Sequence, residues 1–324
     1  MDGVKPASYP GGMNSDRILL GVALMLGFCV TAPLIDVASK LAAQTLPVGQ
    51  ITTARFVVQA ALMLPVCLWM GQGVRMGPGV LGRLILRAVF LILSTYCFVA
   101  AVQVMPIADA LAIAFVEPFI LLILGRVIFG DEVGARRIGA SVVGFCGSLL
   151  VIQPSLVAFG LVALFPLGTA FSFAAYMLVT RSLGKQMHPV AMQYHTATVA
   201  MVICIPVLVL ADWAHWPTLD PQMPDGLEWV WLFGVGAAAA VSHLMMTFAL
   251  RFAPSATLAP LHYLEIVSAA ILGYVIFSDF PNALTWTGIG IIVLSGLYII
   301  HRERVNARRG SVTLPAVAPR RPRA

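Results

Sequence analysis

The chain is dominated by apolar stretches that are long enough to cross a lipid bilayer. A helix needs about 20 apolar residues to span the hydrocarbon core. Hydrophobic residues make up 60% of the 324 residues and charged residues only 10%, against about 25% charged in a soluble domain. The sequence therefore predicts an all-α integral membrane protein with ten transmembrane helices. These lie at roughly 18–39, 49–70, 81–103, 107–129, 137–153, 159–181, 190–210, 229–250, 256–277 and 284–301.

The positive charges predict how the helices are oriented. With both termini in the cytoplasm, 18 of the 20 Lys and Arg residues fall in the tails, the cytoplasmic loops and the adjoining helix ends, where Arg83 and Arg87 are counted. The opposite loops hold essentially none, and the longest, 211–228, is acidic. This asymmetry is typical of a multi-pass protein of the bacterial inner (plasma) membrane. The net charge of +6 then reflects orientation in the lipid bilayer, and no nucleic-acid partner is expected.

An internal repeat divides the chain into two halves. Residues 106–131 and 254–279 align without a gap and agree at ten of 26 positions, including Glu117 with Glu265. We predict a first repeat at 17–153 and a second at 157–303, between a flexible N-terminal tail (1–16) and a basic C-terminal tail (304–324). Since each repeat has five helices, an odd number, the second is inverted relative to the first. Inverted repeats are a transporter architecture, with the substrate site near the midplane between the halves.

Several segments resemble a known family. The pieces GDEVGARRIGASVVGFCGSLLVIQP and GIGIIVLSGLYIIHRER resemble the ends of the two EamA repeats of the drug/metabolite transporter superfamily, and FALRFAPSATLAPLHYLEIVSAAILGYVIF resembles its eighth and ninth helices. The resemblance covers about residues 17–303. It implies a ten-helix carrier that moves a small amino-acid, vitamin or nucleotide-like metabolite by alternating access. Within the family, the chain resembles carriers of the riboflavin or S-adenosylmethionine type. Members often carry Gly-Glu after helices four and nine, whereas this chain has Gly130-Asp131-Glu132 and Ser278-Asp279.

The repeated glutamates are the main candidates for function. Glu117 lies about 16 Å into its helix at about 1.5 Å per residue, near the bilayer centre, and Glu265 lies at a similar depth. An acidic side chain there costs about 3 kcal/mol, so such residues usually line a cavity or pair. Pro118 and Pro260 each leave a backbone carbonyl without a donor. We predict that the glutamates bind a proton or a substrate amine; the alternative is a structural glutamate that both repeats inherited.

Further polar residues accompany the glutamates. Asp36 and Lys40 share a face near the outer end of the first helix and are predicted to form an outer gate or an ion pair. Arg55, with Gln59 one turn away, lies too deep for full solvation. Arg55 therefore snorkels, pairs with a carboxylate or meets an anionic substrate.

Histidines and tyrosines fall in the second repeat. We predict that they form a polar patch on the substrate pathway, the alternative being packed core histidines. Their spacing does not indicate a metal site, and no cofactor is expected. The residues are His195, His243, His262, Tyr263 and Tyr176.

These features favour a secondary carrier, with proton coupling as one option. No G-x-x-x-x-G-K-[ST] loop is present in the sequence, so the chain is not expected to hydrolyse ATP. The alternatives are a membrane-embedded lipid-modifying enzyme, for which 211–228 carries no motif, and a channel or non-transporting scaffold. Small residues recur every four positions at 140–148 and 234–242. Such spacing favours close helix packing, within one bundle or in a homodimer.

The charge asymmetry generates a topology prediction. Reporter fusions within residues 130–137 and at the C-terminus are expected to be active as cytoplasmic fusions, and a fusion within 211–228 as an external one. A C-terminus on the external side would contradict the inverted ten-helix arrangement.

Overall fold

Helices are the only regular elements in the residues that the computed structural model describes. These are 15–71, 79–129, 135–184, 186–214, 216, 219–253, 258, 261–262, 264–279 and 282–312. The eleven helices named here are α1 Ser15–Ala42, α2 Val48–Trp69, α3 Leu81–Val102, α4 Ile107–Ala114, α5 Glu117–Phe129, α6 Ala135–Phe159, α7 Phe165–Leu183, α8 Pro189–Ala214, α9 Glu228–Phe252, α10 Glu265–Phe277 and α11 Ala283–Val312. The short 3₁₀ helix Gly160–Leu164 joins α6 to α7.

Seven segments of the described chain are long and apolar enough to cross a membrane. They are Arg17–Ala42, Val48–Trp69, Leu81–Val102, Ile107–Ile128, Leu156–Leu183, Pro189–Ala214 and Glu228–Phe252. Two shorter apolar helices, Glu265–Phe277 and Ala283–Ser295, follow them. The chain is thus an all-α, multi-pass membrane protein, while the count of ten spans remains a prediction.

The helix expected at 107–129 is wrong in one respect, because it is broken in its middle. The α4 helix ends at Ala114 and α5 begins at Glu117. Pro118 cannot donate a backbone hydrogen bond, and the chain crosses the break through a tight turn. In that turn Val116 N donates to Ile113 O at 3.2 Å and Phe119 N donates to Val116 O at 3.1 Å.

The second repeat has the same hydrogen bonds 148 positions later. Leu264 N donates to Leu261 O at 2.9 Å and Val267 N donates to Leu264 O at 3.2 Å. The α10 helix begins at Glu265, which corresponds to Glu117. Both repeated glutamates therefore occupy the first position of a half-helix.

Two expected boundaries also change. The α6 helix runs to Phe159, so residues 154–158, expected as a connection, are helical. The α11 helix continues to Val312, so residues 304–312 of the expected tail are helical as well. Residues 1–14 and 313–324 lie outside the described part of the chain.

The two halves of the chain are packed into one another. Helix α1 packs against α9, α3 against α7, α2 against α8, α4 against α10 and α6 against α11. Every one of these pairs joins a helix of the first half to a helix of the second. The buried core consequently lies between the halves, and any central cavity receives side chains from both.

Glycine permits close contacts between helices of the two halves, including α2 with α9. A Cβ atom added to Gly236 in α9 would collide with the Val58 side chain in α2 and lie 3.0 Å from the Arg55 carbonyl oxygen. A Cβ on Gly147 in α6 would lie 3.0 Å from the Gly288 carbonyl oxygen in α11. These helices approach each other at the distance that small residues allow in membranes.

This packing predicts the effect of one substitution. Gly236→Val forces the backbones of α2 and α9 apart, and overpacking of this kind costs about 1–3 kcal/mol. We expect a lower melting temperature of the purified protein in detergent. The matched control is Gly82→Val, since nothing lies within 4 Å of a Cβ atom there. Equal melting temperatures for both variants would show that α2 and α9 are not in close contact.

Candidate functional site

A central cavity lies between the two halves of the chain. It contains about 720 Å³ of empty space, including space open to solvent. Most of its wall is apolar and aromatic. The polar and charged residues of the wall are Asp36, Ser39, Arg55, Ser94, Thr95, Glu117, Thr169, His243, His262 and Glu265.

The repeated glutamates meet at a single histidine. His262 Nδ1 lies 3.2 Å from Glu117 Oε2, and His262 Nε2 lies 2.9 Å from Glu265 Oε2. All three residues are buried, with His262 5% exposed, Glu117 3% and Glu265 6%. We call Glu117, His262 and Glu265 the carboxylate–histidine trio. It joins the first half of the chain to the second at the cavity wall.

The breaks in the helices position the trio. Because each glutamate begins a half-helix, its carboxylate lies at the positive end of a helix dipole, where negative charge is favoured. Aromatic rings surround His262, with centroids 5.2 Å away for Phe28, 5.9 Å for Phe115 and 5.9 Å for Phe173. They exclude water from the charged groups, which strengthens the electrostatic interaction.

A second polar group lies beside the trio. The Arg55 guanidinium contacts His243 Nε2 at 2.8 Å and also donates to Thr95 Oγ1. The other ring nitrogen of His243, Nδ1, lies 3.3 Å from the Tyr176 hydroxyl. Arg55 and His243 line the cavity, and Tyr176 lies behind them.

Arg87 is the main residue that sequence reasoning missed. The charge pattern placed it at a helix end, whereas its side chain is 0% exposed. It joins α3 to α7 and α8 through hydrogen bonds to Thr180 Oγ1, Thr196 Oγ1, the Met192 carbonyl and the Tyr176 hydroxyl. Its spacing from Leu91 and Thr95, one and two turns along the same face of α3, was the available signal.

Gln59 and His195, like Tyr176, lie away from the cavity wall, and one further predicted site residue is outside the described residues. Gln59 Nε2 donates to Gln193 Oε1 at 3.3 Å, and Gln193 in turn donates to the His243 carbonyl at 2.8 Å. His195 is buried in α8 with its ring 5.2 Å from that of Tyr194. Neither residue is part of the cavity lining described above. Tyr263 lies outside the described residues.

The predicted pairing of Asp36 with Lys40 is wrong. Lys40 Nζ lies 2.6 Å from Asp279 Oδ2, 3.3 Å from the Met105 carbonyl oxygen and 4.7 Å from the centre of the Phe277 ring. Lys40 is in the last turn of α1, and its long side chain reaches the end of α10. Asp36 lies one turn deeper, in the cavity wall.

The described residues do not suggest a metal centre. Within them, no group of three or more His, Cys, Asp or Glu side chains is arranged to hold a metal ion. The trio is instead arranged for hydrogen bonding, with each imidazole nitrogen directed to one carboxylate oxygen.

Comparison with known proteins identifies the family. The sequence profile of the EamA-like transporter family matches residues 19–153 and again residues 160–301. The S-adenosylmethionine uptake transporter of Rickettsia prowazekii is 26% identical over 286 residues, 88% of this chain and 94% of that protein. The riboflavin transporter of Vibrio cholerae is 24% identical over 266 residues, 82% of this chain and 86% of that protein.

A solved crystal structure shares the fold. It has a TM-score of 0.66 and 16% sequence identity, and the alignment covers 91% of this chain and 98% of that one. The profile matches most of this chain in two copies, and the relatives are named as transporters of small metabolites. The chain therefore belongs to the EamA-like transporter family, and it is a multi-pass membrane transporter rather than an enzyme.

Proposed function

We propose that this protein is a secondary carrier that moves a small organic metabolite across the bacterial inner membrane by alternating access. The observation that carries the proposal is the trio, in which glutamates from both repeats meet at one histidine in the wall of a central cavity. A site between two halves of a chain is accessible from either side when the halves move relative to each other. Candidate substrates are of the S-adenosylmethionine or riboflavin type, as the names of the relatives suggest.

The proposed membrane arrangement has ten spans in two inverted repeats, with both termini in the cytoplasm. The helix pairing supports it. Packing of α1 against α9 joins the first helix of one repeat to the third helix of the other, and packing of α3 against α7 joins the same positions in reverse. The pairs α2–α8, α4–α10 and α6–α11 join equivalent helices. Such reciprocal pairing is expected of two halves related by a twofold axis in the membrane plane.

Alternating access requires a closure at each end of the cavity. In the proposed orientation, the contact between Lys40 and Asp279 lies at the outer end, where α1 and α10 finish. Arg87 lies toward the inner end, where it connects α3 of the first half to α7 and α8 of the second. We assign the outer closure to the ion pair and the inner closure to the hydrogen bonds of Arg87.

The trio also offers a route for the proton coupling that we propose. A neutral imidazole has one N–H, so it can donate to only one of two ionised carboxylates. Both contacts are satisfied when the trio holds one additional proton, either on the histidine or on a carboxyl group. The proton then belongs to the group as a whole, and its release or uptake is the coupling step that we propose.

We therefore predict that Glu117→Gln and Glu265→Gln each lower transport. Hydrogen bonds to charged groups contribute about 1.5–3 kcal/mol, which corresponds to a loss of roughly 10-fold to 100-fold. Glu265→Gln should have the larger effect because its contact with His262 is shorter. Rates are measured as uptake of labelled S-adenosylmethionine and riboflavin across a range of pH, and the pH dependence should become flatter in both variants.

The control is Asp225→Asn, a matched carboxylate-to-amide change at an exposed residue. Wild-type rates and an unaltered pH profile in both glutamine variants would assign the glutamates a packing role.

Arg87 generates a separate prediction. Arg87→Met removes all four hydrogen bonds of the inner closure but changes no residue of the cavity wall. Transport should fall by about tenfold or more, while substrate affinity in detergent stays near that of the wild type. Arg83→Met is the control, because Arg83 bonds Gln186 at the surface. Loss of binding together with loss of transport in folded Arg87→Met protein would contradict the inner-closure assignment.

A further inference from the structure

The charges of the cavity wall favour a positively charged group on the substrate. Among the described lining residues, Asp36, Glu117 and Glu265 are acidic and Arg55 is the one guanidinium. His243 is a neutral imidazole. Arg55 can only donate hydrogen bonds, so His243 Nε2 must accept the bond between them and cannot carry a proton. With its one additional proton, the trio itself still carries one net negative charge. A buried negative charge attracts a cation far more strongly than an exposed one does.

The trio has room for one more hydrogen-bond donor. Glu117 Oε1 is buried and has no hydrogen-bond partner within the described structure, although a carboxylate oxygen accepts two bonds readily. Leaving a buried charged acceptor unpaired is unfavourable by about 1–3 kcal/mol or more. A donor supplied by a ligand would satisfy it.

The three phenylalanine rings around His262 suit a cation as well. A cation over an aromatic face gains about 0.5–2 kcal/mol when water is excluded. In this structure the imidazole occupies the space between the rings of Phe28, Phe115 and Phe173. The histidine thus occupies the position that an ammonium or sulfonium group would prefer.

Arg55 offers the complementary interaction. The two hydrogen bonds described for its side chain go to neutral groups, Thr95 and His243. Its Nε is buried and has no hydrogen-bond partner in the described structure. Guanidinium groups bind carboxylates by donating paired hydrogen bonds. Arg55 is therefore able to bind a substrate carboxylate in the same cavity.

We infer that the substrate is an organic zwitterion whose cationic group replaces the proton of the trio between Glu117 and Glu265, with its carboxylate against Arg55. This inference rests on the proposed carrier function and names the substrate class of that site. Binding of one cation releases one proton from the trio to water, and His262 moves aside as a neutral imidazole. The carrier is then a proton–zwitterion exchanger.

The exchange fixes the sign of the pH dependence. Where the trio holds its proton, the substrate competes with it, so the apparent Kd falls by up to about tenfold for each unit by which pH rises. Other titratable or charged groups near His262 are His243 on α9, Asp36 and Cys29 on α1, Tyr176 on α7 and Arg55 on α2. His243 already has both ring nitrogens occupied, and the Cys29 thiol donates to the Leu261 carbonyl oxygen at 3.2 Å.

The test compares charged and neutral probes on the purified full-length protein. The probes with an ammonium and a carboxylate group are methionine, tyrosine, tryptophan and S-adenosylmethionine, the last with an additional sulfonium charge. The neutral probes are riboflavin and 5′-methylthioadenosine, the thioether that remains when the aminobutyrate chain of S-adenosylmethionine is removed. Calorimetry gives the Kd, and a pH dye in weak buffer gives the protons released. We expect at least one zwitterion to bind with release of about one proton, and the neutral probes to bind at least about tenfold more weakly.

Variants separate the roles of the residues. Glu117→Gln should weaken zwitterion binding about tenfold or more, and His262→Gln should change the number of protons released per zwitterion bound. The control, His188→Gln, changes a histidine outside the cavity and should leave both unchanged. Binding of a neutral probe alone, no binding of any zwitterion, or unchanged proton release in His262→Gln would each overturn the inference.

Failure of the inference is distinguishable from failure of the carrier function. Proteoliposome counterflow of riboflavin, with rates that Glu117→Gln leaves unchanged, would retain the carrier and reject the zwitterion site. Saturable zwitterion binding with proton release but no counterflow would reject the carrier function and retain the site.

Discussion

The hydrogen bonds from one buried histidine to two buried carboxylates are the interaction on which the arrangement of the cavity depends. An ionised carboxylate inside a membrane protein is stable only where protein groups replace the water that it has lost. Glu117 and Glu265 each have one such contact with His262. Removing the histidine would leave two like charges facing each other in an apolar setting. The trio therefore holds together chain segments that would otherwise repel.

Broken helices make this interaction possible. In a continuous helix every backbone N–H and C=O group in the middle is hydrogen-bonded within the helix. A mid-membrane glutamate would then project from the side of the helix and not from its start. Here the turns at 113–116 and 261–264 end one helical segment and start another. The positive ends of the helix dipoles of α5 and α10 then lie at the glutamates. Non-helical backbone at this depth is tolerated because it faces a protein cavity and not lipid.

The sequence predicted the class of fold and the main chemical residues, but not their pairing. Hydropathy and the repeat indicated a membrane protein with both glutamates at one cavity, since these signals depend only on residue type and spacing. The partner of Lys40 could not be found in this way. Asp36 is its neighbour on the helix surface, whereas Asp279 is 239 positions away in sequence and close only after α1 packs beside α10. Arg87 was missed because the charge pattern predicts on which side of the membrane a residue lies. It does not predict whether the side chain is buried.

The trio also breaks the symmetry of the repeat. The alignment that pairs Glu117 with Glu265 places Ala114 opposite His262, so two equivalent acids share a single base contributed by one half. Were both halves to carry a histidine, each acid could be neutralised separately, and inward-facing and outward-facing forms could be mirror equivalents. With one histidine, the two forms of the proposed carrier are expected to differ in energy even without any gradient across the membrane. Such a carrier would have a preferred resting side when empty, set by a residue that duplication alone does not supply.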